Sequence, residues 1–304
     1  SYDQVASGSW SMYGVVYNAT DGDLELSNSS DTYNLTNASY DSVSFSVAAQ
    51  DSLPSGITFN TNGTKMFVVG ITGTDVNEYT LSTGFDVSTA SFVDSFSVSG
   101  QDTSPTGIAF NTDGTKMFIV GEAGTDVNEY TLSTGFDVST ASFVDSFSIS
   151  SLGTQPRGIQ FNTSGTKMFI VSADGDDVNE YTLSTGFDVS TSTFSTSFDL
   201  SSQDSEPTGI AFNSDGTKMF IVGEGTDAVY SYTLSTAFSI STASYDSISF
   251  SVAAQETRPF GLAFNTNGTK LFIVGLNGDA VYQYSTGAGV FFTTGYQPVH
   301  TTAS

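Results

Sequence analysis

A single 51-residue period governs what this chain can fold into. Prolines recur at Pro54, Pro105, Pro156, Pro207 and Pro259, and turn glycines at Gly63, Gly114, Gly165, Gly216 and Gly268, so the spacing is 51 three times and then 52. A period of this size means one supersecondary unit per copy, unable to bury its apolar face alone and stacked on its neighbours to make a shared core. Five such copies without a change of character read as one closed domain with short extensions, although 304 residues would ordinarily suggest two domains.

Within a copy the text predicts four strands. Gly107 to Asn111 comes first, followed by the turn Thr112-Asp113-Gly114-Thr115, where glycine supplies a positive φ. Lys116 to Gly121 is a nearly continuous apolar run, expected of a strand covered on both faces. Val127 to Ser133 alternates, and Ser142 to Ser150 follows with Phe143, Phe147 and Ile149 expected on one face. No α-helix signal interrupts them.

Counting strands gives the topology. The fifth unit supplies Gly261 to Asn265, Lys270 to Gly275 and Val281 to Ser285, then stops; Tyr40 to Ala48, near the other end, nearly duplicates Tyr245 to Ala253 and is the missing strand. A last unit completed by the opposite end of the chain is how a β-propeller closes, which predicts an all-β, five-bladed propeller of four-stranded blades over 33–286, flanked by extensions at 1–32 and 287–304. An open solenoid would instead want capping repeats. Tyr40 and Phe45, like Tyr245 and Phe250, are five apart where Phe143 and Phe147 are four apart, so bulges are expected at Asp41-Ser42 and Asp246-Ser247. In the extensions, Ser9 to Asn18 and Val290 to Thr294 have strand-like content and are candidates to pair with one another; Trp10, Tyr13, Phe291 and Phe292 are their candidate assembly residues.

The motif Pro-Thr-Gly-Ile-Ala-Phe-Asn-Thr-Asp-Gly-Thr-Lys-Met-Phe-Ile-Val with Val-Asn-Glu-Tyr-Thr-Leu after a polar turn resembles the repeats of YVTN and NHL-type propellers. The Phe-Asp-Val-Ser-Thr-Ala-Ser extension is similar to the long repeats of marine phage structural proteins and bacterial surface proteins, a resemblance that implies attachment or shell building. The five-fold count also resembles the five-bladed animal lectins, without their sugar-contacting motif. Such resemblances imply a fold more than a function.

Charge narrows the partners. Thirty-two acids against seven bases give a net charge of -25, which repels nucleic acid and anionic membranes, and no apolar run is long enough to span a bilayer. Five of the bases, Lys65, Lys116, Lys167, Lys218 and Lys270, are one repeat position; their stems are expected to cover apolar surface and their tips to meet a turn acid or a carbonyl. Zero cysteines exclude disulfides and thiol chemistry. The inner strands read GITFN, GIAFN, GIQFN, GIAFN and GLAFN, without the paired carboxyls that glycosidic chemistry needs, and the only histidine is His300 in the C-terminal extension. A hydrolase would have to rest on loop acids such as Asp204 and Glu206.

Two sets of residues stand out as candidate sites. Those following and preceding the repeat prolines vary, and Thr106, Arg157, Thr208, Arg258 and Phe260 are candidates for an asymmetric ligand site at the channel mouth. Among the loop acids, Asp174, Asp176 and Asp177 form the densest group, a candidate for calcium, which takes several oxygen ligands. No other cofactor is indicated. The sequence therefore leads to the expectation of a non-catalytic structural or adhesive propeller on a virion or cell surface, held by its extensions to other structural proteins of the same particle. A lectin-like module that binds cell-surface glycans is the alternative.

Overall fold

A computed structural model describes residues 13–17, 24–28, 32–151 and 153–287; of the first two segments it describes the backbone alone. Five four-stranded antiparallel sheets make a closed β-propeller. The second blade shows the pattern: inner strand Pro105–Phe110, second strand Lys116–Gly121, third strand Asp126–Leu132 and outer strand Ala141–Ser148. The fifth blade takes Pro259–Phe264, Lys270–Gly275 and Ala280–Ser285 from the end of the repeat array and Ser39–Ser46 from its beginning. Ring closure by the N-terminal strand is thus as the half repeats require.

The core lies between blades rather than within one. Along Lys116–Gly121 the side chains alternate faces: Met117 and Ile119 join Phe67, Val69 and Val76 of the first blade, while Phe118 and Val120 join Ile159, Met168 and Ile170 of the third. A strand buried on both faces explains why this run lacks alternation in the sequence. Five interlocked clusters result, and each blade contributes to two of them. Rings cross the seams as well, with Phe67 and Phe110 centroids 4.6 Å apart and Tyr130 edge-on to Phe96 of the preceding blade at 5.6 Å.

The outer strands correct one expectation. Tyr130 pairs with Phe143 and Val127 with Phe147; since Val127 and Tyr130 are three residues apart, Phe143 and Phe147 occupy opposite faces. Val144 is the bulged residue that makes this so. Phe143 lies over Tyr130 of its own blade and Phe147 meets Tyr181 of the next. In the fourth and fifth blades the bulge holds two residues, Asp246-Ser247 and Asp41-Ser42, where they were expected, with Ser247 and Ser42 at φ 59°. A one-residue bulge in a four-residue spacing and a two-residue bulge in a five-residue spacing give the same final facing.

Between third and outer strands the Phe-Asp-Val-Ser-Thr segment forms a single 3-10 turn, as at Val138–Thr140, whose Asp137 side chain accepts a hydrogen bond from Ser139 N. At the N-terminus, Tyr13–Tyr17 pairs antiparallel with Leu24–Asn28; Val290 to Thr294, the partner expected from the sequence, lies outside the described residues. Trp10, Phe291 and Phe292 lie outside the described residues.

Candidate functional site

The inner strands run from a proline face to an asparagine face, and the two ends of the channel are built differently. On the proline face Thr106 is buried, and its hydroxyl donates to the Pro156 carbonyl of the next blade at 2.8 Å. Ser55 does the same to Pro105 at 2.9 Å and Thr208 to Pro259 at 3.0 Å. Both threonines singled out in the sequence thus join blades. Immediately below, Gly107 sits so close to the next blade that a Cβ would come within 2.5 Å of the Arg157 carbonyl oxygen. The five equivalent glycines leave a central cavity of about 20 Å³, room for one water.

Arg157 and Phe260 replace the hydroxyl in the third and fifth blades, and the structure brings them together. Phe260 is fully buried in the channel mouth, and the Arg157 guanidinium lies 4.8 Å above its ring centroid. Arg157 also pairs with Glu122 of the second blade, and Arg258 Nε meets Glu224 Oε1 of the fourth at 2.5 Å. Burial of one arginine face over Phe260 and pairing of each guanidinium with a loop glutamate close this end of the ring.

The loop acids on the same face have a shared task. Asp102 is buried and accepts from Ser104 N at 2.6 Å and Gly124 N at 2.8 Å, tying the loop before the inner strand to the loop after the second strand. Asp51, Asp204 and Glu256 repeat this arrangement. The third blade has Gly153 at that position, and there Asp174 reaches in from the other loop to accept from Thr154 N at 2.7 Å and from the Ser172 hydroxyl at 2.7 Å. Burial works against its charge, but these donors hold its carboxyl down at about 2. Asp177 starts the third strand, accepts from the Asn179 amide at 2.7 Å and is pushed up to about 6 by burial, with Asp174, Asp199 and Asp176 adding to the effect. Asp176 adopts φ 48° and its carbonyl receives Leu200 N at 2.7 Å. Among the described residues no three such side chains converge on a common point as metal ligands would.

The copied lysines are the seams of the ring. Lys65, Lys116 and Lys167 reach Glu78, Glu129 and Glu180 of their own third strands at 2.6, 2.6 and 2.8 Å, and the Phe136, Phe187 and Phe238 carbonyls of the following blades at 2.6, 2.6 and 2.7 Å. The second carboxylate oxygen of each glutamate receives the backbone N–H of Val138, Val189 or Ile240, each at 3.1 Å. In the fourth and fifth blades Ser231 and Gln283 stand where the glutamates were, and the acid comes instead from the longer bulge: Lys218 meets Asp246 at 3.0 Å and Lys270 meets Asp41 at 2.6 Å. The carbonyl partner was expected, but the acid is a strand or bulge residue rather than a turn residue. Its signal was in the sequence, since each copy that lacks the glutamate gains an Asp one residue after its aromatic.

At the asparagine face the channel opens. The inner strands end in Phe59, Phe110, Phe161, Phe212 and Phe264, and Gln160 lines each of three hollows of about 300, 220 and 180 Å³ at that end. The asparagines that follow hold the turns: Asn111 Oδ1 accepts from Lys116 N at 2.9 Å and its amide donates to Thr115 Oγ1 at 3.2 Å. Gly114, at φ 73°, makes that turn possible and packs under the Phe136 ring. This end carries no mark in the sequence, because the inner-strand ends that build it hold no charged residue.

No family model and no curated protein matches this chain. Solved structures of similar shape include a functionally unknown protein from Desulfotomaculum acetoxidans, at 11% identity and TM-score 0.45 over 73% of this chain and 62% of that one. Another, a putative 6-phosphogluconolactonase from Bacteroides uniformis, is 12% identical with TM-score 0.49 over 91% and 76% of the two chains. The Cps50 (Swd1) β-propeller domain from Myceliophteria thermophila is 10% identical with TM-score 0.42 over 77% and 82%. At these identities no activity is carried over, and the blade count rests on this chain's own strand order.

Proposed function

We propose that this chain is a non-catalytic structural and adhesive propeller, displayed on a virion or cell surface and attached to neighbouring structural proteins through the extensions at 1–32 and 287–304. One observation carries the reading. Each carboxylate that is buried among the described residues, namely Asp51, Glu78, Asp102, Glu129, Glu180, Asp204 and Glu256, accepts hydrogen bonds from a blade seam or a loop anchor. A general acid or base must reach the proton it moves on a substrate; these seven carboxylates are instead engaged by backbone N–H groups and lysines of the scaffold. The strongly acidic composition suits a surface that stays soluble and does not stick to anionic neighbours.

The test compares the full chain with a chain of 33–286 for retention on the particle or cell envelope from which it is isolated. The reading expects the full chain to sediment with the particle and the shortened chain, folded by circular dichroism, to remain free. A shortened chain that still incorporates overturns the attachment claim. Sustained turnover of a sugar lactone or polysaccharide, abolished by Asp204→Asn, overturns the non-catalytic one.

A further inference from the structure

The open end of the channel has a composition unlike the rest of the molecule. In a chain of net charge -25, the residues lining the three hollows around Gln160 are all uncharged. The inner position before each phenylalanine is Thr58, Ala109, Gln160, Ala211 or Ala263, so one long amide rises among small side chains in an otherwise five-fold setting. That amide forms no hydrogen bond with any described residue, whereas the neighbouring asparagine amides are all engaged in their turns. Four of the five phenylalanine rings are partly exposed to the hollow.

We propose that this funnel is a binding site for a neutral carbohydrate, one pyranose ring seated on the phenylalanine faces with its hydroxyls on the Gln160 amide. The inference rests on reading the chain as a binding scaffold rather than an enzyme. The chemistry selects the ligand class by elimination. An anion would enter against the net charge without a cation in the lining to receive it. A cation would find no carboxylate there. A wholly apolar ligand would strip water from an amide and give it no partner. A sugar ring carries an apolar C–H face for the aromatic rings and paired hydroxyls for an amide that both donates and accepts. Hollows of about 180 to 300 Å³ suit single rings.

The full chain is screened on an array of neutral and acidic glycans, and hits are titrated by calorimetry beside Gln160→Ala, Phe212→Ala and, as a control on the exposed outer strand, Asp145→Asn. Gln160→Ala removes an unbonded side chain and leaves the fold's contacts in place. The expected result is binding of neutral glycans that weakens at least tenfold in Gln160→Ala and in Phe212→Ala and is unchanged in Asp145→Asn. Neutral glycans bound equally by the Gln160→Ala chain would overturn the funnel while leaving the scaffold reading in place. Binding confined to acidic glycans, or no glycan bound by the parent chain while it still sediments with its particle, would also overturn the site without touching the attachment claim. Loss of both glycan binding and particle retention in the parent chain would sink the two together.

Discussion

Lys116 Nζ lies 2.6 Å from Glu129 Oε1, and the pair is asymmetric: the lysine side chain is 28% exposed and the glutamate 4%. The ammonium therefore keeps part of its hydration while the carboxylate relies on the protein, receiving Lys116 on one oxygen and Val189 N of the next blade on the other. Glutamate is the partner that cannot be removed cheaply. Glu129→Ala leaves a lysine without its counter-charge and a buried N–H without an acceptor, and is expected to destabilise the ring by about 3 kcal/mol. Glu129→Gln keeps the acceptor for Val189, as Gln283 natively does for Val87 at 3.2 Å, and is expected to cost about half as much. Urea unfolding midpoints of the two variants give the comparison; equal losses would remove the role assigned to the second oxygen.

The three hydroxyl clasps on the proline face should behave as independent neutral hydrogen bonds. Thr106→Val and Thr208→Val are each expected to lower stability by about 1 kcal/mol, and because the two seams are separate the double variant should show the sum. Thermal unfolding of singles and double checks this. A double variant much worse than additive would mean that the ring opens at one seam once the other is weakened.

Asp41 is the acid of the closing blade. It accepts from Lys270 at 2.6 Å, from Gln283 at 2.9 Å and from Ser285 at 2.6 Å, and although burial opposes its charge these donors hold its carboxyl below the usual aspartate range. A depressed folded-state value stabilises the protein above the unfolded value near 4 and is lost as pH falls through the folded one. Acid should therefore loosen the closing seam. Protection factors of the Ser39–Ser46 amides, corrected for intrinsic exchange, are expected to fall below about pH 4 in the parent chain, and Asp41→Asn is expected to show the lowered protection at neutral pH with little further change on acidification.

Asp177 runs the other way. Its carboxyl is raised to about 6 by burial, so the stability it contributes is complete below the unfolded value and is lost as pH rises through about 6. Asp177→Asn preserves the oxygen that Asn179 uses and removes the charge. The variant should be more stable than the parent at pH 7, by about 1 kcal/mol after allowing for solvent screening, and indistinguishable from it at pH 4. Melting curves at the two pH values decide; a variant less stable at pH 7 would show that the ionised carboxylate has a partner of its own.

The sequence made the ring legible because its signals repeat: five prolines, five turn glycines and a half repeat at each end leave little choice of topology. The two long bulges were legible for the same reason, as an odd spacing must be absorbed somewhere. The facing of Phe143 and Phe147 was not, because a one-residue bulge at Val144 leaves no mark on an even spacing. The partners of the lysines were hidden by distance, since Lys116 and the Phe187 carbonyl are 71 residues apart and meet only when the next blade is in place. Thr106 looked available for a ligand because a sequence does not show burial, and its hydroxyl is closed over by the following blade; Asp174 is exposed, and its carboxylate is engaged by Thr154 and Ser172 at the position that Gly153 leaves empty. The Gln160 funnel was missed because its chemistry is neutral, and neutral sites announce themselves only when side chains from all five copies are seen around one axis.

Ser46 and Asp279 lie 233 residues apart in the chain and are hydrogen-bonding neighbours across the last seam. During synthesis the strand Ser39–Ser46 is made before any of the four complete blades and must wait for Ala280–Ser285, which is made after all of them. Until then both halves of the fifth blade expose unpaired edges, and the second halves of two flanking cores stay open. A strand kept waiting in this way can be taken by the late strands of another molecule at high concentration, so the same geometry that seals one ring sets the concentration at which newly made chains exchange strands instead of closing on themselves.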